Sequence, residues 1–121
     1  MTARAVIYVG DLEKMVSFYS RMFGLTRVDA ETGFATLCSA EWELSLVQTP
    51  EAAPTTAPAP RRSDTAVKVG FSVVDLDATA ALATALNATM DPPENRWVHR
   101  GRVLCDLVDP EGNVLSLSAP E

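Results

Sequence analysis

A short sequence pattern occurs twice in this chain and constrains its fold more than any other feature. Residues 9–12 read V-G-D-L and residues 73–76 read V-V-D-L. Each copy follows a β-branched run and precedes an apolar periodicity that is typical of a helix. The Asp in each copy is a residue type that caps helix N-termini. The repetition of one strand–helix pattern therefore predicts two similar modules.

Each half of the chain predicts the element order β-α-β-β-β. The first predicted helix runs from a cap at Asp11 to Gly24, and the second runs from a cap at Asp75 to Asn87. The predicted strands are 4–9, 25–29, 34–38, 42–47, 66–74, 88–90, 102–108 and 114–118. The D-P-E-G sequence at 109–112 predicts the turn before the last strand.

Residues 48–65 separate the two halves and break the pattern. Their prolines, alanines and threonines favour an extended, mobile connection. We interpret them as a linker between module one, 1–47, and module two, 66–121, within a single domain of residues 1–121. A flap over a ligand site is the alternative interpretation.

The composition argues against several classes of protein. Hydrophobic residues make up 47% of the chain and charged residues 21%, which is typical of a globular protein. No apolar run approaches the ~20 residues of a membrane span. The N-terminus shows no signal-peptide pattern, so we expect a cytoplasmic protein without a membrane partner. The net charge of −6, without a basic stripe, argues against nucleic-acid binding. Cys38 and Cys105 are too far apart to suggest a disulfide framework, and we expect both to be free thiols.

Three stretches carry a resemblance to a known family. They are 9–25 (VGDLEKMVSFYSRMFGL), 69–86 (VGFSVVDLDATAALATAL) and 109–118 (DPEGNVLSLS). In this order they resemble the vicinal oxygen chelate superfamily, which includes glyoxalase I, extradiol dioxygenases, fosfomycin-resistance enzymes and bleomycin-resistance proteins. The resemblance implies an α+β fold in which two βαβββ modules form a curled, partly open mixed sheet around a cleft, with the helices on the outer face.

The resemblance also implies where the catalytic members hold a divalent metal. Alignment on the shared motifs places these ligand positions at Arg4, Glu43, Lys68 and Ser116. Only Glu43 is a good ligand, because a guanidinium or an ammonium has no free lone pair. The chain has one histidine, His99, so a two-His-one-carboxylate site cannot form within one subunit. We therefore expect no metal and no cofactor.

Strand alternation assigns side chains to the cleft expected from the resemblance. The expected ligand-binding residues are Arg4, Tyr8, Phe34, Glu43, Lys68, Ser116 and Trp97. Three interpretations are open for Arg4 and Lys68. They neutralise Glu43 in an ion pair that replaces the lost metal, they bind a ligand carboxylate or phosphate, or either or both extend to solvent. Trp97 and His99 are predicted in a loop, the first as a ligand or dimer contact and the second as a solvated residue or a general base.

Three functions remain open, and small-molecule binding is slightly favoured over catalysis. The first is metal-free binding of a small organic molecule, as in drug or metabolite sequestration for antibiotic self-resistance. The alternative is a metal-independent isomerase, lyase or hydrolase with Glu43 as general base. A degenerate module that binds a protein partner is a third interpretation. A homodimer is expected because open sheet edges are usually paired or covered.

Overall fold

Two helices and nine strands make up the chain, and the computed structural model describes residues 1–121. In chain order the elements are β1 Ala3–Val9, α1 Leu12–Phe23, β2 Thr26–Arg27, β3 Phe34–Cys38, β4 Trp42–Gln48, β5 Gly70–Ser72, α2 Leu76–Ala85, β6 Thr89–Met90, β7 Trp97–His99, β8 Arg102–Val108 and β9 Val114–Pro120. The chain divides into two units, Met1–Ala57 and Pro58–Glu121. Each unit holds one helix and one mixed sheet, which confirms the predicted α+β fold.

The first unit has a four-stranded sheet in the order β1-β4-β3-β2. Strands β1 and β4 are parallel, and β4, β3 and β2 are antiparallel neighbours. Helix α1 packs on β3 and β4. Its apolar spacing buries Met15, Phe18 and Tyr19 at 0–2% exposure, opposite the fully buried Leu44 and Leu46. Each such buried side chain contributes roughly 1.5–3 kcal/mol of hydrophobic stabilisation.

Local capping residues set both ends of α1 as predicted. The Asp11 carboxylate accepts a hydrogen bond from the Lys14 amide at 3.2 Å. Gly24 ends the helix in the left-handed region at φ 65°. A side chain is strained in this conformation, whereas glycine adopts it freely.

The second unit has a sheet in the order β5-β9-β8-β6, and β7 also pairs with β8. Strands β5 and β9 are parallel, while β8 and β9 form an antiparallel hairpin. Asp75 caps α2 by accepting a hydrogen bond from the Ala78 amide at 3.0 Å. One face of this sheet is apolar and buried, with Cys105, Leu107 and Leu117 at 0% exposure.

The predicted turn before the last strand is confirmed. The Asp109 carboxylate accepts hydrogen bonds at 2.9 Å from the amides of Glu111 and Asn113. Gly112 adopts φ 90°. A Cβ at Gly112 would also overlap the Pro60 carbonyl oxygen, so both conformation and space require glycine there.

Two predictions about the second module are wrong. The strand predicted at 66–74 is regular only over Gly70–Ser72, which pair with Ser116–Ser118 of β9. In this register residues 66 and 67 fall opposite the turn that precedes β9, and at the other end Asp75 already caps α2. Trp97–His99 forms strand β7 instead of a loop. The chain reverses from β7 into β8 through Arg100 and Gly101, at φ 53° and 74°. Two consecutive positive φ angles characterise the type I′ hairpin turn, which matches the twist of the flanking strands.

Both ends of segment 48–65 pack against their own unit. Pro50–Ala52 forms a 3₁₀ turn in the first unit, and Ala52 is buried. In the second unit the Arg62 amide donates to the Gly112 carbonyl at 2.8 Å. Neither α1 nor α2 has the length and hydropathy needed to cross a membrane.

Candidate functional site

The first sheet carries polar and exposed side chains on the face opposite α1. We call this the N-terminal face, and the register gives its members as Arg4, Val6, Tyr8, Phe34, Thr36, Cys38, Glu43, Ser45 and Val47. The register aligns Tyr8 with Val47 and Val47 with Phe34, so one row of this face is apolar. Tyr8 is 60% exposed and therefore presents its ring to solvent.

Arg4 and Glu43 lie directly opposite each other on β1 and β4. Arg4 Nε lies 3.6 Å from Glu43 Oε2, and Arg4 Nη2 donates to Ser45 Oγ at 3.3 Å. Both ionic side chains are substantially exposed, at 59% and 40%. An exposed pair of this kind contributes about 0–1 kcal/mol, because solvent screens it. The geometry thus pairs Arg4 with Glu43, as the ion-pair interpretation describes.

The second sheet carries its own polar face on the side opposite the buried apolar residues. We call this the C-terminal face, and its members are Lys68, Ser72, Trp97, His99, Arg102, Leu104, Asp106, Ser116 and Ser118. One row consists of Gly70, Ser116 and Asp106, which are direct neighbours across β5, β9 and β8. Ser116 therefore lies in the middle of this row.

The carboxylate that pairs with Lys68 is Asp106, which sequence reasoning did not select. Lys68 Nζ donates to Asp106 Oδ2 at 2.9 Å. The sequence did contain a pattern that could have identified Asp106. Alternation along 102–108 places Asp106 on the same side of the strand as Arg102, and the turn at 109–112 aligns Asp106 with Ser116. Lys68 therefore forms an ion pair, but its partner is Asp106 and not the expected Glu43.

A second cation joins this cluster from the segment between the modules. Arg61 lies 2.7 Å from Asp91 Oδ1 and 3.4 Å from Asp106 Oδ2. The hydrogen bond to Asp91, followed by the charges of both carboxylates, raises the pKa of Arg61 above its ordinary value. Asp106 is only 8% exposed, and burial of a carboxylate requires such partners. Its other oxygen, Oδ1, is buried without a hydrogen-bond partner.

Both cysteines are free thiols, and their surroundings differ. Cys105 is buried, and its Sγ contacts the Asp91 carbonyl oxygen at 3.4 Å. Burial raises the pKa of the Cys105 thiol. A protonated, enclosed thiol is a poor nucleophile, so Cys105 serves packing. Cys38 is half-buried.

At the other end of the C-terminal face, Ser118 accepts two hydrogen bonds from Arg102. Arg102 Nε donates to Ser118 Oγ at 3.1 Å, and Arg102 Nη2 donates to the Ser118 carbonyl at 3.2 Å. Ser118 Oγ also lies 3.3 Å from Ser72 Oγ. Across the β7–β8 pair, His99 aligns with Arg102 and Trp97 aligns with Leu104. Trp97 is 44% exposed.

The donor set does not fit the divalent metal that the resemblance implies for catalytic members. No three His, Cys, Asp or Glu side chains come close enough together to hold a metal ion. Of the positions aligned with metal ligands, Arg4 pairs with Glu43, Lys68 pairs with Asp106, and Ser116 lies between Gly70 and Asp106. Two of the four aligned side chains are cations and would repel a metal ion.

Solved structures show the same fold at low sequence identity. FosX, the fosfomycin resistance protein from Listeria monocytogenes complexed with Mn(II) and sulfate, has a TM-score of 0.75 at 15% identity, covering 100% of this chain and 90% of that one. The bleomycin-binding protein from Streptomyces verticillus, complexed with copper(II)-bleomycin, has a TM-score of 0.65 at 18% identity, with 100% and 97% coverage. A glyoxalase/bleomycin resistance protein/dioxygenase family enzyme from Burkholderia phytofirmans has a TM-score of 0.71 at 18% identity, with 98% coverage of both chains.

Sequence comparison identifies the family. No curated protein sequence matches the chain. A family model described as the Glyoxalase/Bleomycin resistance protein/Dioxygenase superfamily matches residues 2–117. This match covers nearly the whole chain, both modules included. The chain belongs to the glyoxalase/bleomycin resistance protein/dioxygenase superfamily.

Proposed function

We propose that this protein binds a small organic molecule on a polar sheet face, without a metal, and sequesters a drug or metabolite. The main support for the proposal is that two positions aligned with metal ligands, Arg4 and Lys68, hold cations that form ion pairs with carboxylates. Arg4 is 3.6 Å from Glu43, and Lys68 is 2.9 Å from Asp106, so carboxylates that could serve a metal are paired with cations. An antibiotic-binding protein of the same fold, the bleomycin-binding protein, supports sequestration as the role.

Exposed aromatic side chains support the choice of an organic ligand. Tyr8 on the N-terminal face is 60% exposed, and Trp97 on the C-terminal face is 44% exposed. Tyr8 aligns with Val47 and shares a face of β1 with Arg4, and Trp97 aligns with Leu104 one row from the His99–Arg102 pair. Small-molecule sites typically combine aromatic surface with a few placed polar groups, as these faces do.

Equilibrium dialysis tests the proposal directly. The purified protein is dialysed against a panel of antibiotics and small organic acids that includes bleomycin and fosfomycin, with and without EDTA, and retained compounds are identified by mass spectrometry. We expect a compound to be retained equally in both conditions and recovered unchanged. Trp97→Ala should weaken retention of a compound bound on the C-terminal face, and Tyr8→Ala should weaken retention of a compound bound on the N-terminal face. Val74→Ala should leave it unaltered, because Val74 is 90% exposed and lies outside both faces.

Three outcomes would contradict the proposal. The first is retention that requires added Mn(II), Zn(II) or Fe(II). The second is about one transition metal per subunit that survives mild chelation, as measured by elemental analysis. The third is a panel from which nothing is retained.

The same dialysis separates binding from the alternative, a metal-independent isomerase, lyase or hydrolase with Glu43 as general base. Recovery of a converted compound would support the enzyme. In that case Glu43→Gln should abolish conversion and preserve retention, because it removes the base and keeps the shape of the side chain.

A further inference from the structure

We propose that Arg102 is the anion-binding residue of the C-terminal face and that the ligand joins a carboxylate or phosphonate to planar apolar surface. This inference rests on the proposed small-molecule binding and names the chemical class of the ligand. From the sequence, Arg4 and Lys68 were the candidates for binding a ligand anion. The inference gives this role to Arg102 instead.

The other cations of the two faces are already paired with carboxylates. Arg4 pairs with Glu43, and Lys68 and Arg61 pair with Asp106. Arg102, by contrast, has no carboxylate within ion-pair distance. A ligand anion that bound Arg4 or Lys68 would compete with a carboxylate already in place, whereas at Arg102 it would meet a cation without a counter-charge.

Arg102 is also held in a geometry that suits an anion. The Ser118 hydroxyl and carbonyl oxygens accept hydrogen bonds from Nε and Nη2, along one edge of the guanidinium. The end formed by Nη1 and Nη2 keeps unused N–H groups. A guanidinium presents such donors in a planar fork that matches the two oxygens of a carboxylate or phosphonate. Because Ser118 already positions the side chain, less conformational entropy is lost on binding.

The surroundings of Arg102 supply apolar contact and positive potential. Trp97 and Leu104 lie on the same face, one row along from the His99–Arg102 pair, and Trp97 is 44% exposed. Arg100 and Arg102 lie in the stretch 97–102, which contains no acidic residue in a chain of net charge −6, whereas Arg96 just before it is paired with Asp77 at 2.8 Å. A local positive region on an acidic protein attracts an anion to that location.

Fragment binding followed by NMR tests this inference. The probe is 2-naphthoate, and its neutral counterpart is 2-naphthamide. We expect 2-naphthoate to shift the Trp97 indole and Arg102 Nε resonances and to bind at least about tenfold more tightly than 2-naphthamide, the lower end of what a charged hydrogen bond contributes. Arg102→Gln should weaken 2-naphthoate binding roughly tenfold to a hundredfold and leave 2-naphthamide binding unchanged.

Two further variants separate recognition from general charge and from loss of fold. Arg100→Gln removes an equal charge from the tip of the same hairpin and should change binding less than about threefold, because exposed charges are screened. Ser118→Ala keeps the charge of Arg102 but removes one of its contacts, and should weaken 2-naphthoate binding severalfold. The amide spectrum of each variant reports whether the fold is retained.

Distinct outcomes would overturn the inference. If 2-naphthamide bound as tightly as 2-naphthoate, the result would support small-molecule binding and would refute the recognition of an anion by Arg102. If Arg100→Gln weakened binding as much as Arg102→Gln, the assignment to Arg102 would be wrong. If neither probe shifted these resonances, the inference would fail, and the dialysis with and without EDTA would still judge the proposed function separately.

Discussion

Replacement of Lys68 by methionine tests whether this residue stabilises the fold or binds the ligand. Its Nζ donates to Asp106 Oδ2 at 2.9 Å, and Asp106 is 8% exposed. A hydrogen bond to a charged group contributes about 1.5–3 kcal/mol. The Lys68 side chain is 46% exposed, and solvent screening reduces this contribution to about 1 kcal/mol. Arg61 continues to pair with Asp106 in the variant and prevents a larger loss.

We therefore expect Lys68→Met to lower the free energy of unfolding by about 1 kcal/mol and the melting temperature by about 3–6 °C. Urea denaturation followed by circular dichroism measures the first quantity, and calorimetry measures the second. Lys14→Met is the matched control, because Lys14 lies on the exposed side of α1 and forms no ion pair. It should change stability by less than about 0.5 kcal/mol.

A double-mutant cycle shows whether the loss belongs to the Lys68–Asp106 pair. Lys68→Met combined with Asp106→Asn should destabilise by less than the sum of the single changes, because both remove the same interaction. Unchanged stability in Lys68→Met, together with a tenfold loss of affinity for a retained ligand, would refute the structural role. It would return Lys68 to the ligand-binding set.

Three other predictions follow from the packing and the cysteine environments. Gly112→Ala should destabilise the protein by about 2 kcal/mol or more, since its φ is 90° and the added Cβ would overlap the Pro60 carbonyl, and urea denaturation measures this loss. Cys38 should react with a thiol reagent in the native protein, while Cys105 should react only after unfolding; mass spectrometry of timed samples would contradict this if both reacted together. The protein should sediment as a homodimer at micromolar concentration, because its sheets leave open edge strands; a monomer alone would disprove this.

Local sequence signals predicted the elements that depend on neighbouring residues. The cap at Asp11 and the end of α1 at Gly24 were predicted and found, because both depend on contacts within a turn of the helix. Strand β3 was predicted at 34–38 and spans Phe34–Cys38. The short strand β7 was missed because three residues carry too little periodicity, and its hydrogen bonds depend on the edge of β8.

Part of the candidate site could also be predicted from the sequence. Alternation predicted that Arg4 and Tyr8 share a face, and the register of β1 with β4 brings Arg4 opposite Glu43. The scarcity of histidine was evident from composition alone, as was the type of residue at each aligned ligand position. These inferences needed only the pleat of a strand and the chemistry of each side chain.

The repeat, the helix caps, the final turn and the shortage of metal-ligating residues all follow from the order and chemistry of residues along the chain. The pairing of charged side chains, by contrast, depends on how the strands associate in the folded sheets. Lys68 and Asp106 are 38 residues apart, and Arg102 and Ser118 are 16 apart. Their contacts require the register of β5 on β9 and of β9 on β8, and a slip of one residue would turn each side chain to the opposite face. That register is set by burial of the apolar side of the sheet, a property of the folded unit that no single segment carries.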